Sequence, residues 1–204
     1  MEFKVANGSS GCVFTPAFPC LPPDVRGQTV SKLFVEPHAA LAYAEERAIM
    51  AYLRLDQLDP REDFFLYKVF ECNVDKAVYG LRAKQLCPAF EIPEGPMKAL
   101  NYTKGGTTLD ADINAAAAAG GTAFPLVLAK LSNVMRGIAL LNKNQRYHFD
   151  VKELNVLTHN YRYKLIDFGL STTRSRIKFD PMYATIYRYW QRNLIRASSG
   201  FARM

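Results

Sequence analysis

His148, Asp150, Lys152 and Asn155 fall within one short stretch, Tyr-His-Phe-Asp-Val-Lys-Glu-Leu-Asn, and Asp167 follows a little further on in Leu-Ile-Asp-Phe-Gly. Between them lie two apolar runs, Val156-Leu157 and Leu165-Ile166, separated by a polar reversal through Thr158, His159 and Asn160. That pattern predicts a β-hairpin with chemistry at both ends. The hairpin carries Asp150 and Asn155 at its entrance and Asp167 at its exit, so three oxygen-bearing side chains converge on one point. Hard oxygen ligands facing a phosphate are the kind that Mg²⁺ accepts.

Two other places could serve such a centre. Gly8 and Gly11 lie between the β-prone ends Val5 and Phe14, and a turn whose backbone comes close to a ligand needs that lack of Cβ atoms. Lys32 sits in the middle of Thr29-Val-Ser-Lys-Leu-Phe-Val35, an apolar strand where an ammonium must find a partner, because burying it alone is very costly. Glu45 and Glu46 are the candidate partners on the helix predicted from about Pro37 to Leu55. Glu46 is followed by Ile49, Met50 and Leu53 at i+3, i+4 and i+7, which puts it on the edge of the apolar face.

The elements that must position these residues read as follows. Pro16 to Gly27 is proline-rich and predicts a loop. Phe64–Phe70 and a second run around Val78-Tyr79 read as strands. Met97 to Leu109 reads as a strand, an extended link and the pair Gly105-Gly106. Asp110 or Asp112 is expected to cap a short helix through Ala115 to Ala119, ended by Gly120-Gly121. Phe124 to Asn142 predicts a long amphipathic helix, with Leu128, Leu131, Val134, Met135, Ile138 and Leu141 on its core face.

With 204 residues and 49% apolar composition the chain can bury a real core, which excludes a disordered protein. Its formal charge is +7, and after Leu170 seven basic residues face Asp180 alone. Such a tail could meet acidic or lipid surfaces, but a solvated basic face is the commoner meaning. Cys12, Cys20, Cys72 and Cys87 lack C-x-x-C spacing, and the three histidines are scattered, so neither a zinc site nor a disulfide framework is expected. No charged-then-apolar leader opens the chain, and no apolar run approaches the roughly 20 residues needed to cross a bilayer. The expectation is an intracellular, cytoplasmic protein in a reducing compartment, with no membrane partner; nucleic acid is not expected to bind despite the basic tail.

The stretch from His148 to Asn155, followed by Asp167-Phe168-Gly169, resembles the H-x-D-x-K-x-x-N and D-F-G signatures of eukaryotic-type protein kinases. With Ala6, Gly8, Gly11 and Val13, the glycine turn resembles their G-x-G-x-x-G-x-V loop, the first glycine being replaced. The resemblance implies an α+β, two-lobed fold. Residues 1–100 would form a small antiparallel-sheet N-lobe, and 101–204 the hinge and a truncated, mainly helical C-lobe. It implies ATP-dependent phosphoryl transfer, with Mg²⁺, to Ser/Thr hydroxyls of a protein substrate. Asp150 would accept the hydroxyl proton, Lys152 would neutralise the transferred group, and Asn155 and Asp167 would hold metal. Val5, Gly8, Gly11, Val13, Val30, Lys32, Glu46, Leu100, Tyr102 and Leu157 would line the nucleotide site. Glu46 is thereby chosen over Glu45, Leu100 would guard the back of the adenine pocket, and the backbone at Asn101 to Thr103 would bond the adenine edge.

Beyond Gly169 the resemblance thins. Ser171, Thr172, Thr173 and Ser175 would be phosphate acceptors of an activation segment. The residue before Asp150 is Phe149, where phosphorylation-dependent members carry Arg, so activity is expected not to need them. The A-P-E sequence is missing, and Tyr187-Arg188-Tyr189-Trp190 there resembles compact kinases of large DNA viruses. Helices that the family places after this point are not in the sequence. A partner protein completing the C-lobe is therefore an expectation, beside two alternatives: a remnant that binds nucleotide or a partner without efficient catalysis, and a small-molecule kinase.

Overall fold

Alternation in the first half of the chain, up to Thr103, produces a sheet with two unlike faces. The computed structural model describes residues 2–7, 11–21, 29–35 and 39–176. Gly8 and the Met182 to Trp190 stretch lie outside these residues. β1 (Lys4–Asn7), β2 (Gly11–Thr15), β3 (Thr29–Phe34), β4 (Val69–Val74) and β5 (Met97–Thr103) form one antiparallel sheet in the order β1-β2-β3-β5-β4. The fold is α+β.

Odd-numbered positions of β3 and β5, such as Leu33, Met97 and Ala99, join Phe3, Phe14 and Phe18 in one buried cluster. Helix α3 (Lys76–Leu86) brings Ala83 to the same cluster. The even positions Lys32 and Leu100 pair side by side and face the other way, toward helix α1 (Ala39–Leu53), where Phe34 meets Tyr43 edge to face.

Two expectations fail here. Val78-Tyr79 is helical, because the Asp75 carboxylate caps the Ala77 and Val78 amides and opens a run of helix formers. Phe64 to Lys68 does not extend β4; it is an irregular segment shaped by Asp59 and Glu62.

The four cysteines are paired, Cys12 with Cys87 and Cys20 with Cys72, in place of the expected free thiols. Local spacing could not reveal these pairs, because they join positions 75 and 52 residues apart across the buried sheet face. The premise for a reducing compartment is thereby removed, since disulfides persist where the surroundings are oxidising. Removing either bridge is expected to cost about 2–5 kcal/mol of stability. Melting with and without dithiothreitol measures this, and an unchanged midpoint would mean that the bridges do not form.

The second half is helical around a small hairpin. After a helical turn α2 (Leu55–Leu58) come α4 (Leu109–Ala118) and α5 (Phe124–Lys143). Thr108 caps α4, rather than Asp110 or Asp112, by accepting from the Ala111 amide. Two short ladders follow, β6 (Arg146–Tyr147) with β9 (Thr172–Thr173), and β7 (Val156–His159) with β8 (Arg162–Leu165).

α5 is 20 residues long and, by length and composition alone, apolar enough to span a bilayer, contrary to the sequence reading. Here it is a core helix: Val127, Val134 and Leu141 are buried with Leu53, Phe65 and Tyr163. Its core face is turned from the expected one, since Leu128 and Met135 are exposed.

Candidate active site

The β7–β8 hairpin forms as expected and holds the His148 to Asn155 stretch at its mouth. Just before β7, a 3₁₀ turn over Glu153–Asn155 buries Asn155. The Asn155 amide nitrogen donates to the Asp150 backbone carbonyl at 2.9 Å and to Asp150 Oδ2 at 2.8 Å. Both its hydrogens are thus spent, and its Oδ1 is the atom left to accept. Lys152 Nζ donates to the same Asp150 oxygen at 2.8 Å, and that hydrogen bond holds the Lys152 ammonium above the usual lysine range. Asp150 Oδ1 remains as an acceptor with a cation beside it.

His148 fixes this loop from below. Its Nε2 lies 2.9 Å from the Ile166 carbonyl, its Nδ1 accepts from the Asp150 amide at 3.3 Å, and its ring meets Phe168 edge to face at 4.8 Å. These partners require the neutral ring with its proton on Nε2. Burial holds the pKa below the usual histidine value, outweighing the Ile166 carbonyl and the nearby carboxylates. Because the folded pKa is depressed, the unfolded chain binds more protons near its own value of about 6.5. Stability should therefore be complete above that pH and fall on acidification below it. Urea midpoints at pH 7.5 and 5.5 measure this, and a His148→Asn variant should show a flatter dependence.

Phe168 packs into the core against Phe65, so Asp167 is turned outward and exposed. Asp167 has φ 59°, a left-handed conformation that costs a non-glycine residue about 1–3 kcal/mol. Its charge is one of the lesser electrostatic influences on Tyr102 of the sheet and on His148 and Lys152 of the loop.

On the sheet side Lys32 Nζ meets Glu46 Oε2 at 2.5 Å, with both side chains about nine-tenths covered. Glu46, not Glu45, is the partner. Its other oxygen accepts from the Tyr102 hydroxyl, and burial followed by the Glu46 carboxylate pushes that phenol well above its ordinary pKa. Val13 pairs with Lys32, Val30 with Tyr102, and Leu100 with Lys32, so all of these share the face.

Two expected site residues stand elsewhere. Val5 pairs with Phe14 and packs on the phenylalanine side of the sheet, so Ala6, not Val5, lies opposite Val13. The backbone of Asn101 and Tyr102 is paired with β3 on one side and β4 on the other, which leaves it no groups for a ligand edge. The link outside the sheet begins at Lys104, since Thr103 still pairs with Thr29 of β3. Gly11 is required for a different reason than expected: a Cβ there would stand 2.2 Å from the Leu33 carbonyl oxygen.

Leu157 lies directly under the link, since a Cβ on Gly105 would meet its Cδ1 at 2.5 Å. The Gly106 amide donates to the Thr158 carbonyl at 2.6 Å, and the Thr158 amide to the Thr107 carbonyl at 2.8 Å.

Ser171 is buried, with its hydroxyl on the His148 carbonyl, so it is a loop brace rather than an accessible phosphate acceptor. Phe149 stands beside Tyr147 with ring centroids 5.8 Å apart.

Several supporting residues carried no local signal. The Asp59 carboxylate, buried, accepts from the amides of Asp63, Phe64 and Phe65. Lys164 reaches the Glu62 carbonyl, and Asn133 of α5 holds the carbonyls of Asp63 and Tyr163 at 2.9 Å each. Only Lys164, a lysine between Tyr163 and Leu165 in a short strand, could have been noticed by the argument that singled out Lys32.

A cavity of about 1310 Å³ opens among the link, β4 and the β7–β8 turn, and none of the residues of the Asp150 and Lys32 clusters lines it. No model of a known protein family matches the chain, and no curated protein is significantly similar to it.

Proposed function

We propose that the chain is a protein serine/threonine kinase with a two-lobed, kinase-like fold. The observations that support this reading are the Asp150 carboxylate held by Lys152 and Asn155 at the mouth of the hairpin that leads to Asp167, and the covered Lys32–Glu46 pair on the sheet. Phosphoryl transfer needs positioned cations near the phosphates and a carboxylate near the attacking hydroxyl, with little covalent work by the protein.

In this reading Asp150 Oδ1 accepts the proton of a Ser/Thr hydroxyl on the protein substrate. Lys152, bound to the same carboxylate, lies beside the transferred group and offsets its charge. Lys32, held by Glu46, positions the ATP phosphates, and Tyr102 fixes the far oxygen of Glu46. Val13, Val30, Leu100 and Leu157 enclose the adenine, and its edge bonds to the link backbone at Lys104 and Gly105.

The donor chemistry fits Mg²⁺: Asp167 offers an exposed carboxylate and Asn155 a carbonyl oxygen, both hard ligands. Held by these two residues, the ion would supply positive charge to offset that of the phosphates. A partner protein that completes the C-lobe belongs to the same proposal, and so does a cytoplasmic location provided that melting with and without dithiothreitol shows the two bridges to be absent.

Calorimetry of the purified chain with Mg·ATP, beside labelled-phosphate transfer to casein and to a basic protein, tests it. Binding with thermal stabilisation by mass action is expected. A folded, soluble preparation that does not bind Mg·ATP would overturn the reading.

A further inference from the structure

We infer that Glu71 and Tyr102 are positioning residues that latch helix α1 to the sheet, so that Glu46 stays on Lys32 whether or not nucleotide is bound. What the latch does for phosphate transfer rests on the kinase reading; the latch itself does not.

The two ends of α1 are held by different forces. Leu53, in its last turn, is the only buried residue of that helix and belongs to the apolar cluster of the helical half, with Ile49 and Met50 packed beside it. Tyr52 next to it donates its hydroxyl to the Ser171 carbonyl at 2.7 Å. Toward the sheet the helix instead presents Tyr43, Glu46 and Arg47, at i, i+3 and i+4 and therefore on one side. Glu71 of β4 accepts the Tyr43 hydroxyl on Oε2 at 2.7 Å and meets Arg47 with Oε1 at 2.6 Å. Glu46 accepts the Tyr102 hydroxyl on Oε1 and meets Lys32 with Oε2.

Register places these sheet partners together. Glu71 pairs with Leu100 and Leu100 with Lys32, so the carboxylate and the ammonium stand in one row across β4, β5 and β3. Tyr102 is two positions beyond Leu100 on the same strand and so shares that face. The helix meets the row with the opposite order of charge, Arg47 on Glu71 and Glu46 on Lys32. Turning α1 so as to exchange the two would set like charges against each other, which fixes its rotation.

The apolar end serves as a pivot and the polar end as a catch. Helical rise puts Glu46 about 10 Å from Leu53 along the axis, so a tilt of about 20° about that end moves Glu46 roughly 3 Å. Such a shift breaks a pair that meets at 2.5 Å. The Arg47–Glu71 pair is about half exposed and adds little alone. The two tyrosine hydroxyls are the firmer part, since a hydrogen bond to an ionised acceptor is about twice as strong as a neutral one.

The test is hydrogen–deuterium exchange of the full chain without nucleotide, read on peptides from α1, β5 and α5. Tyr102→Phe combined with Glu71→Ala removes both hydroxyl–carboxylate bonds and the ion pair. Amides of α1 should then exchange about tenfold faster or more, while those of β5 and α5 keep parental rates. Glu71→Gln in place of Glu71→Ala keeps an acceptor for Tyr43 and should return α1 most of the way to the parental rate. Should the double variant fail to fold, Tyr102→Phe alone removes a single hydroxyl and should speed α1 several-fold. Saturating Mg·ATP should change parental α1 exchange by less than about twofold. In labelled-phosphate transfer the double variant should lose about tenfold in kcat with KM for Mg·ATP within about threefold, because Lys32 is present but no longer held in place. Parental α1 exchange in the variants, equal loosening of β5 and α5, or a parental α1 slowed more than twofold by Mg·ATP would overturn the inference. A chain that binds no Mg·ATP would end the kinase reading, and the exchange measured without nucleotide would still decide the latch.

Discussion

On the proposed kinase reading, a chain carrying Asp150→Asn will bind Mg·ATP as the parent does and transfer phosphate about 10²- to 10⁴-fold more slowly, the usual contribution of a positioned general base. The substitution keeps the shape of the side chain. Its remaining oxygen can still accept from Lys152 or Asn155, which now meet at a single carboxylate oxygen. What disappears is the negative charge and the free acceptor for a hydroxyl proton. Nucleotide affinity should be preserved, because the Lys32 and Glu46 pair and Asp167 are untouched. Steady-state kinetics beside calorimetry separates the two effects, and turnover within a few-fold of the parent would move the proton acceptor elsewhere.

Lys32→Met should be nearly as damaging by another route. In the proposed reading the ammonium contributes a positioned positive charge for the phosphates, and loss of one preorganised electrostatic contact of this kind costs about 10²–10³ in turnover. The fold should survive, since Met fills much of the same volume and the Tyr102 hydroxyl still holds Glu46. Some stability will be lost, because a largely covered carboxylate is left without its cation. The discriminating measurement is circular dichroism together with labelled-phosphate transfer. A folded variant with parental turnover would remove Lys32 from the site.

The β7–β8 hairpin was legible because its pattern is local: the residues from His148 to Asp167 are close in sequence, and the turn between them is polar. Lys32 was legible because one charge in an apolar strand needs an explanation. The link to Tyr102 was not, since the direction of that phenol depends on the register of β5 against β3. Register also explains Val5, because pairing with Phe14 instead of Val13 moves a strand residue to the opposite face. α3 was misread because Val78 and Tyr79 suggested a strand, although the Asp75 cap before them was available as a signal. The cysteine pairs and the Asp59 segment depend on contacts between positions far apart, to which periodicity is blind.

The two glycines of the link have a mechanical consequence. Gly105 and Gly106 let the link lie against the hairpin so closely that backbone and side-chain hydrogen bonds sew Thr107 and Thr158 together, and Thr108 is bridged to Leu157. The stitched segment cannot serve as the pivot for any opening of the cleft. Bending must occur upstream of Gly105, so the five-stranded sheet would swing as one paddle while the link, hairpin and α5 remain a fixed deck. The Gly106 and Thr158 amides should then exchange with solvent at the slow rate of the hairpin core, not at the fast rate of a flexible joint.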